Sequence, residues 1–232
     1  MDRLTGVEEL IDGPLDDAGS LGANLRDLAR LNRLTGGAAL SVQAVRALLP
    51  IGGTVLDVGT GAADIPVRLL ADSRRRGTTL TVTATDSRPE VIDAAIALRP
   101  GLTSVPGLVL GLADGRGLDW PDGAFDVAHS SMVLHHLTDE EAIRLLVELR
   151  RVARIGVVTN DLDRGRLAWL GGWLLTHTLA ASRYTRHDGP LSVRRAYTRQ
   201  EMGHLLEQAG LKPVVTFAGF AGHRYAIAAV PA

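Results

Sequence analysis

Apolar and polar positions follow two periods along this chain. Short apolar runs rich in β-branched residues, typical of buried strands, recur between longer segments with the three-to-four-residue apolar period of amphipathic helices. The apolar runs predict strands near residues 53–58, 79–85, 106–112, 124–130 and 154–159. The periodic segments predict helices near residues 63–76, 88–98 and 138–152. Alternation of this kind predicts a mainly parallel sheet with helices on both faces.

The pattern changes at both ends of the chain. Acidic residues, glycines and a proline dominate residues 1–20, which predicts a mobile acidic arm. Helices are expected near 21–33 and 38–49, before the first strand. Towards the other end, the pattern predicts an apolar helix at 164–182, an Arg-rich loop at 183–196, a helix at 199–209, and strands at 212–218 and 223–230 that form a terminal hairpin.

Composition narrows the class of protein. The chain has 232 residues, 46% of them hydrophobic, which is enough for a full core. A formal net charge of −1 disfavours a broad nucleic-acid-binding surface, so no nucleic-acid partner is expected. The absence of cysteine excludes disulfides and thiolate chemistry. No secretion signal or membrane span is evident, so we expect a cytoplasmic protein without stable membrane insertion.

Residues 55–64 carry the clearest chemical signal. An apolar run ends in Asp57, and Gly59 and Gly61 follow before a helical segment begins. Such a strand–turn–helix unit is where nucleotide-like ligands bind in doubly wound folds. A dinucleotide site would have a third glycine where this chain has Asp64, and the Asp57 carboxylate would repel a pyrophosphate. The motif therefore favours a ligand with an ammonium group and no phosphate, and disfavours an NAD-dependent oxidoreductase.

The pattern Asp57-x-Gly-x-Gly-x-Ala63 resembles motif I of the class I S-adenosylmethionine-dependent methyltransferases. Residues 120–131 and 133–137 are similar to the fourth-strand region of small-molecule methyltransferases related to the ubiquinone and menaquinone C-methyltransferases. The resemblance covers about residues 50–160. It implies an α/β, Rossmann-like doubly wound, mainly parallel seven-stranded sheet with a C-terminal antiparallel hairpin and a helical lid.

The chain is accordingly divided into four parts. These are an N-terminal arm with lid helices (1–49), a cofactor-binding core (50–160), a helical acceptor-pocket insert (161–198), and a C-terminal helix and hairpin that complete the core sheet (199–232).

Two further carboxylates are candidate cofactor ligands. Asp86 ends the second strand, where an acidic residue accepts both ribose hydroxyls of a nucleoside; the alternative is a helix N-cap. Asp114 follows the third strand, where the resemblance implies an acidic residue that accepts the adenine amino group; the alternative is an ordinary Asp-Gly turn. The resemblance implies a site for S-adenosylmethionine formed by Asp57, Gly59, Thr60, Gly61, Asp86, Ser87, Asp114, Gly115 and Ser130.

Three histidines raise the question of a metal. We expect none, because no carboxylate has the sequence spacing to complete a site with His129, His135 and His136. His136, or less favourably His135, is instead a candidate general base, since a histidine transfers protons near neutral pH. The alternative is that one packs beside the cofactor and the other caps a helix.

The apolar helix at 164–182 is the candidate acceptor wall. Trp169 and Trp173 lie four residues apart, and His177 follows one turn later, so the three should share a face. The hypothesis is that this face covers an apolar acceptor; the alternative is packing on protein alone. The Arg-rich run could hold an acidic group of the acceptor or form a solvated surface.

These interpretations converge on one function. The chain is expected to transfer a methyl group from S-adenosylmethionine to a small aromatic or lipophilic acceptor, by O- or C-methylation of a phenolic or quinone-like product of secondary metabolism. The sequence leaves open a cofactor-binding relative without methyl transfer, and it leaves open whether the protein forms a homodimer.

Overall fold

The computed structural model describes residues 1–14 and 18–232, and its framework is one sheet. The strands are β1 (Gly52–Val58), β2 (Thr79–Asp86), β3 (Leu108–Leu112), β4 (Phe125–Ser131), β5 (Ala153–Leu162), β6 (Leu211–Ala218) and β7 (Arg224–Pro231). The helices are α1 (Ala18–Leu34), α2 (Gly37–Leu48), α3 (Asp64–Arg75), α4 (Pro89–Leu98), α5 (Asp139–Val152), α6 (Arg166–Leu179), α7 (Arg183–Arg195) and α8 (Arg199–Gln208).

The seven strands follow the order β3-β2-β1-β4-β5-β7-β6. The first five pair in parallel, and β7 joins antiparallel to both β5 and β6. This topology confirms the predicted doubly wound sheet with its C-terminal hairpin. The strand order reverses direction between β1 and β4, and such a reversal opens a crevice at the carboxyl ends of the strands.

Apolar residues on both faces of the sheet hold the helices in place. On one face, α5 presents Ala142, Leu145, Leu149 and Val152 to a core that also includes residues of α8 and β7. These positions follow the three-to-four-residue period that buries one side of a helix. The helix begins at Thr138, whose side chain accepts from the Glu141 N–H in a capping box. On the other face, α2 and α3 pack on the central strands.

Helix α7 (Arg183–Arg195) occupies the segment 183–196, where the sequence predicted a loop. Ser182 caps α7, and Tyr184 and Val193 are buried along it. Pro190 and several polar residues hid the helical pattern, but α7 packs against both α6 and α1, and tertiary contacts override weak local propensity. The preceding helix is shorter than predicted and ends at Leu179.

The N-terminal segment packs against the fold, although the sequence predicted a mobile arm. Leu4 N–H donates to the Arg194 carbonyl at 2.9 Å, and both Leu10 N–H and Ile11 N–H donate to the Asp188 carboxylate. The arm prediction also covered residues 15–17, which lie outside the described residues. Residues 1–14 therefore form part of the structure around the crevice.

Among the described residues, no helix combines the length and apolar character needed to cross a membrane.

Candidate functional site

A cavity of about 1090 Å³ occupies the crevice at the carboxyl ends of the strands. The segment 1–14, α1, α6 and α7 enclose it from above. Most of the predicted cofactor residues line it: Asp57, Gly59, Thr60, Gly61, Asp86, Ser87, Asp114 and Gly115. Ser130 does not, because its hydroxyl points into the sheet and donates to the Val58 carbonyl at 3.0 Å. The two candidate bases, His135 and His136, line the same cavity.

The turn between β1 and α3 brings backbone to the cavity surface. Gly59 has φ of +75°, and a Cβ added there would lie 2.3 Å from Val133 Cγ2. Only glycine fits that combination of conformation and close approach. In the same turn the Thr60 hydroxyl is buried without a hydrogen-bond partner. The turn thus offers a narrow cradle with an unsatisfied polar atom.

Asp57 is fixed from within the sheet. It is 2% exposed, and its Oδ1 lies 2.5 Å from His129 Nδ1, directly across the β1–β4 pairing. His129 Nε2 forms a hydrogen bond of 2.8 Å with the Ser41 hydroxyl. The same hydroxyl oxygen accepts a hydrogen bond from the Asn160 side-chain amide at 2.7 Å. Arg224 donates to the Asn160 side-chain oxygen. This buried chain of hydrogen bonds orients the Asp57 carboxylate beneath the cavity.

Asp86 stands at the end of β2 and faces the glycine turn. The Gly61 N–H donates to Oδ2 at 3.2 Å and the Arg88 N–H donates to Oδ1 at 3.3 Å. Burial raises the pKa of Asp86, and these two backbone donors partly oppose that rise. A carboxylate in this position can accept further hydrogen bonds from a ligand's hydroxyls.

Asp114 lies at the open side of the cavity. Its carboxylate accepts from Arg116 at 2.9 Å, and that hydrogen bond lowers the pKa of Asp114. Arg116 also reaches Glu141 at 3.1 Å. The contact leaves Asp114 beside the cavity but engaged by a neighbouring cation, so a ligand's amino group would have to share or displace Arg116.

The opposite end of the cavity is polar and is formed by His135, His136 and Glu9. The two imidazole rings lie 4.2 Å apart. His135 Nδ1 lies 2.7 Å from Asp161, and His136 Nδ1 lies 2.8 Å from Asp12. Burial acts to raise the pKa of both aspartates, but the interactions with their histidines outweigh it and lower both pKa values.

Glu9 is the site residue that the sequence analysis missed. It is 3% exposed, its Oε2 accepts from Ser192 Oγ at 2.8 Å, and its Oε1 has no hydrogen-bond partner. Burial raises the pKa of Glu9 to about 7, against the opposing interaction with His136. The one local signal was the apolar pair Leu10–Ile11 beside it, which is unusual in an acidic arm.

The structure places the three residues of the predicted acceptor wall outside the cavity lining. Trp169 and Trp173 are 37% and 42% exposed and do not line the cavity. His177 stacks on Trp173, with 4.6 Å between ring centroids, and does not line the cavity either. Contact of these three side chains with an acceptor stays a prediction. The cavity-facing residues of α6 are Leu167, Ala168, Gly171, Gly172, Leu175 and Thr176.

Arg195 links the Arg-rich run to this site. It is buried at the end of α7, donates to the His135 and His136 carbonyls, and reaches Asp12 at 3.2 Å. Its role in the described structure is to hold the histidine segment and the N-terminal segment together.

Residues 55–156 match a family model described as a methyltransferase domain. An uncharacterized methyltransferase of Synechocystis sp. is 27% identical over 165 residues, which make up 70% of this chain and 68% of that protein.

Solved structures show the same fold. A SAM-dependent methyltransferase from Aquifex aeolicus superposes with a TM-score of 0.66 and 21% identity, covering 91% of this chain and 98% of that one. An O-methyltransferase family 2 protein from Planctomyces limnophilus, in complex with apigenin, gives a TM-score of 0.63 and 20% identity, covering 94% of this chain and 62% of that one. S-adenosylmethionine is the cofactor named for the Aquifex aeolicus protein.

The residues present fit that cofactor. The narrow glycine turn, the unpartnered Thr60 hydroxyl and the Asp86 carboxylate form a continuous surface for a nucleoside and its amino-acid tail. The turn has no third glycine and carries the buried Asp57 carboxylate, which suits a ligand without phosphate better than a dinucleotide.

Proposed function

We propose that this protein transfers a methyl group from S-adenosylmethionine to a small acceptor that combines an ionisable group with an aromatic or lipophilic portion. The observation that supports this most is the volume of the cavity at the carboxyl ends of the strands. At about 1090 Å³ it exceeds the roughly 300–1,000 Å³ usual for one small ligand, so it has room for a cofactor and an acceptor together.

The two ends of the cavity suit different ligands. The end formed by β1 and β2 carries Asp57, the Gly59–Gly61 turn and Asp86, which we assign to the cofactor. The other end combines apolar side chains from α6 with a polar group around Glu9. The apolar portion of an acceptor would contact these apolar side chains. Its hydroxyl group or acidic carbon would face the polar side chains around Glu9.

The protein's part in such a reaction is positioning and proton removal. Bound cofactor supplies an electrophilic methyl group, and a water-poor cavity holds the acceptor atom in line with it. A phenol with a pKa of about 10 is mostly protonated at neutral pH, so loss of its proton must be assisted. We assign that task to the His135–His136–Glu9 end of the cavity, which retains both histidines proposed from the sequence as catalytic residues.

The decisive test uses purified protein, S-adenosylmethionine labelled in its methyl group, and a panel of phenols and hydroxyquinones. Expected results are formation of S-adenosylhomocysteine and label in one acceptor class. Titration calorimetry with NAD serves as the comparison for cofactor choice. Binding of S-adenosylmethionine without turnover on the panel would support a cofactor-binding relative, and tighter binding of NAD would overturn the proposal.

A further inference from the structure

The Glu9, His135 and His136 side chains meet at the polar end of the cavity. His135 Nε2 lies 3.8 Å from Glu9 Oε1, and His136 Nε2 lies 4.0 Å from Glu9 Oε2. One ligand atom from each of the three residues falls within 4.8 Å of the others. The three side chains come from two segments far apart in the sequence, and only the packing of residues 1–14 brings them together.

The Nδ1 atoms of His135 and His136 form hydrogen bonds on the side of each ring that faces away from Glu9. These hydrogen bonds determine which nitrogen of each ring carries the proton. His135 Nδ1 faces Asp161 and His136 Nδ1 faces Asp12, and an ionised carboxylate only accepts hydrogen bonds. Each Nδ1 must therefore carry the proton. When a ring is neutral, its Nε2 atom, on the side of the Glu9 carboxylate, is unprotonated and can bind a cation.

A cation between these three groups would satisfy them together. Glu9 Oε1 is buried and has no hydrogen-bond partner, which is costly unless something else satisfies it. The carboxylates of Asp161 and Asp12 contact the two histidines on their far sides. Arg195 is a cation beside the cluster, with its Nε 3.8 Å from Glu9 Oε1, so a bound metal ion would have to share Glu9 with it.

We propose that Glu9, His135 and His136 form a binding site for a divalent transition-metal ion. Two imidazoles and one carboxylate, with a position left open, are the ligand set of catalytic zinc and of related metals. The carboxylate partners of both Nδ1 atoms are the usual outer partners of metal-bound histidines. Ligands at about 2.0–2.1 Å around zinc lie about 3.4 Å apart, so the three ligand atoms, which lie within 4.8 Å of one another, would have to move closer on binding the ion.

The role of the cation rests on the proposed function. The site lies on the cavity wall, so its open position faces the acceptor. A metal-bound hydroxyl loses its proton near neutral pH, because the cation stabilises the oxyanion. Methyl transfer would then form a bond from the metal-held phenolate oxygen, or from the ring carbon that deprotonation activates, to the methyl carbon, while the sulfur–methyl bond of the cofactor breaks. S-adenosylhomocysteine is the leaving group, and the proton released from the hydroxyl or from the ring carbon goes to water.

Metal binding can be measured without any acceptor. Untagged protein is treated with EDTA, dialysed, and equilibrated with ZnCl₂ or, for comparison, MgCl₂; bound metal is then counted by mass spectrometry. We expect one Zn²⁺ per chain and no comparable binding of Mg²⁺, which prefers oxygen ligands. Glu9→Gln keeps the side-chain shape and should abolish the site, and Asp12→Asn should weaken zinc binding by about 10–100-fold.

The matched control is His204→Gln, which removes an exposed histidine that lies 3.5 Å from Glu207 on the surface. Zinc binding that survives Glu9→Gln but is lost in the His204 variant would overturn the proposal, as would absence of zinc binding to the wild type. Cofactor titration on the same samples separates the two proposals. If metal-free protein binds S-adenosylmethionine and turns it over, the proposed role of the metal ion is refuted and the methyltransferase function stands. If the protein fails to bind S-adenosylmethionine, the methyltransferase function is refuted.

Discussion

Asp57 and His129 face each other across the pairing of β1 and β4, with 2.5 Å between Oδ1 and Nδ1. Both side chains are almost fully buried. The pair closes the first link of the hydrogen-bond chain that continues through Ser41 to Asn160. Residues that were considered separately in the sequence, one as a cofactor ligand and one as a candidate metal ligand, thus act as a unit.

Breaking this pair should destabilise the protein. His129→Leu leaves the Asp57 carboxylate buried without its donor, and an unsatisfied buried polar group costs about 1–3 kcal/mol in the free energy of unfolding. Urea denaturation measures the effect. Asp57→Asn completes a double-mutant cycle with His129→Leu. The sum of the two single losses in unfolding free energy should exceed the loss in the double variant, because both substitutions remove the same interaction. Strictly additive losses would show that the pair is not coupled.

Asp86 is expected to hold the cofactor. Asp86→Ala should leave the protein folded and weaken binding of S-adenosylmethionine by about 1.5–3 kcal/mol, the value of hydrogen bonds to a charged group, which is roughly one to two decades in Kd. Calorimetric titration checks this. Glu90→Gln, on the exposed surface nearby, is the control and should keep the wild-type affinity. An unaltered Kd in the folded Asp86 variant would remove this residue from the cofactor site.

The glycine turn offers a second test of the cofactor half. Gly59→Ala adds a methyl group that meets Val133 Cγ2 at 2.3 Å, at a φ of +75°. Gly61→Ala has the same left-handed strain, with φ of +52°, but the added methyl group would meet Leu25 Cδ2 at an ordinary 3.7 Å. Both substitutions should lower the free energy of unfolding by about 1–2 kcal/mol, because alanine is strained in the left-handed conformation. Only Gly59→Ala should lower it further through the clash with Val133. Adding Val133→Ala should restore part of that further loss. Equal thermal stabilities of the two variants would contradict this.

Two adjacent leucines of α6 distinguish the cavity face from the outer face. Leu175 lines the cavity, whereas Leu174 is 54% exposed and does not. Leu175→Ala should raise the acceptor KM, since lost burial costs about 25 cal/mol per Å² of apolar contact, with little change in the cofactor Kd. Leu174→Ala should change neither constant. Steady-state kinetics with both substrates varied measures this, and a raised KM for Leu174→Ala would contradict it. Trp173→Ala tests the contact predicted for the indole, which a raised KM would support.

Arg3 anchors the N-terminal segment that carries Glu9. It donates to the Arg195 and Leu137 carbonyls at 2.8 Å and stacks over the Tyr197 ring at 3.7 Å. Arg3→Ala should loosen this segment, so the amide of Leu10, which donates to Asp188, should exchange its hydrogen faster. Asp2→Asn is the control. Hydrogen-exchange mass spectrometry of the N-terminal peptide reads the difference, and wild-type protection in the Arg3 variant would show that the segment is held elsewhere.

Local sequence signals were sufficient for the framework of this protein. Alternating strand and helix periods predicted the parallel sheet and its terminal hairpin, because both patterns depend on which side of each element is buried. The turn at Gly59 and Gly61 and the carboxylate at Asp86 could be placed in one site, since the carboxyl ends of neighbouring parallel strands share an edge of the sheet.

Tertiary packing decided what the sequence pattern could not. Helix periodicity grouped Trp169 with Trp173 but could not say that both lie outside the cavity lining, because direction depends on the partner that the helix packs against. The same limit hid Glu9: its environment consists of Ser192 and the two histidines, all distant in sequence. The sequence by itself therefore determined the sheet and the cofactor turn, whereas only the folded structure determined the polar end of the cavity, because that end exists only through contacts between remote segments.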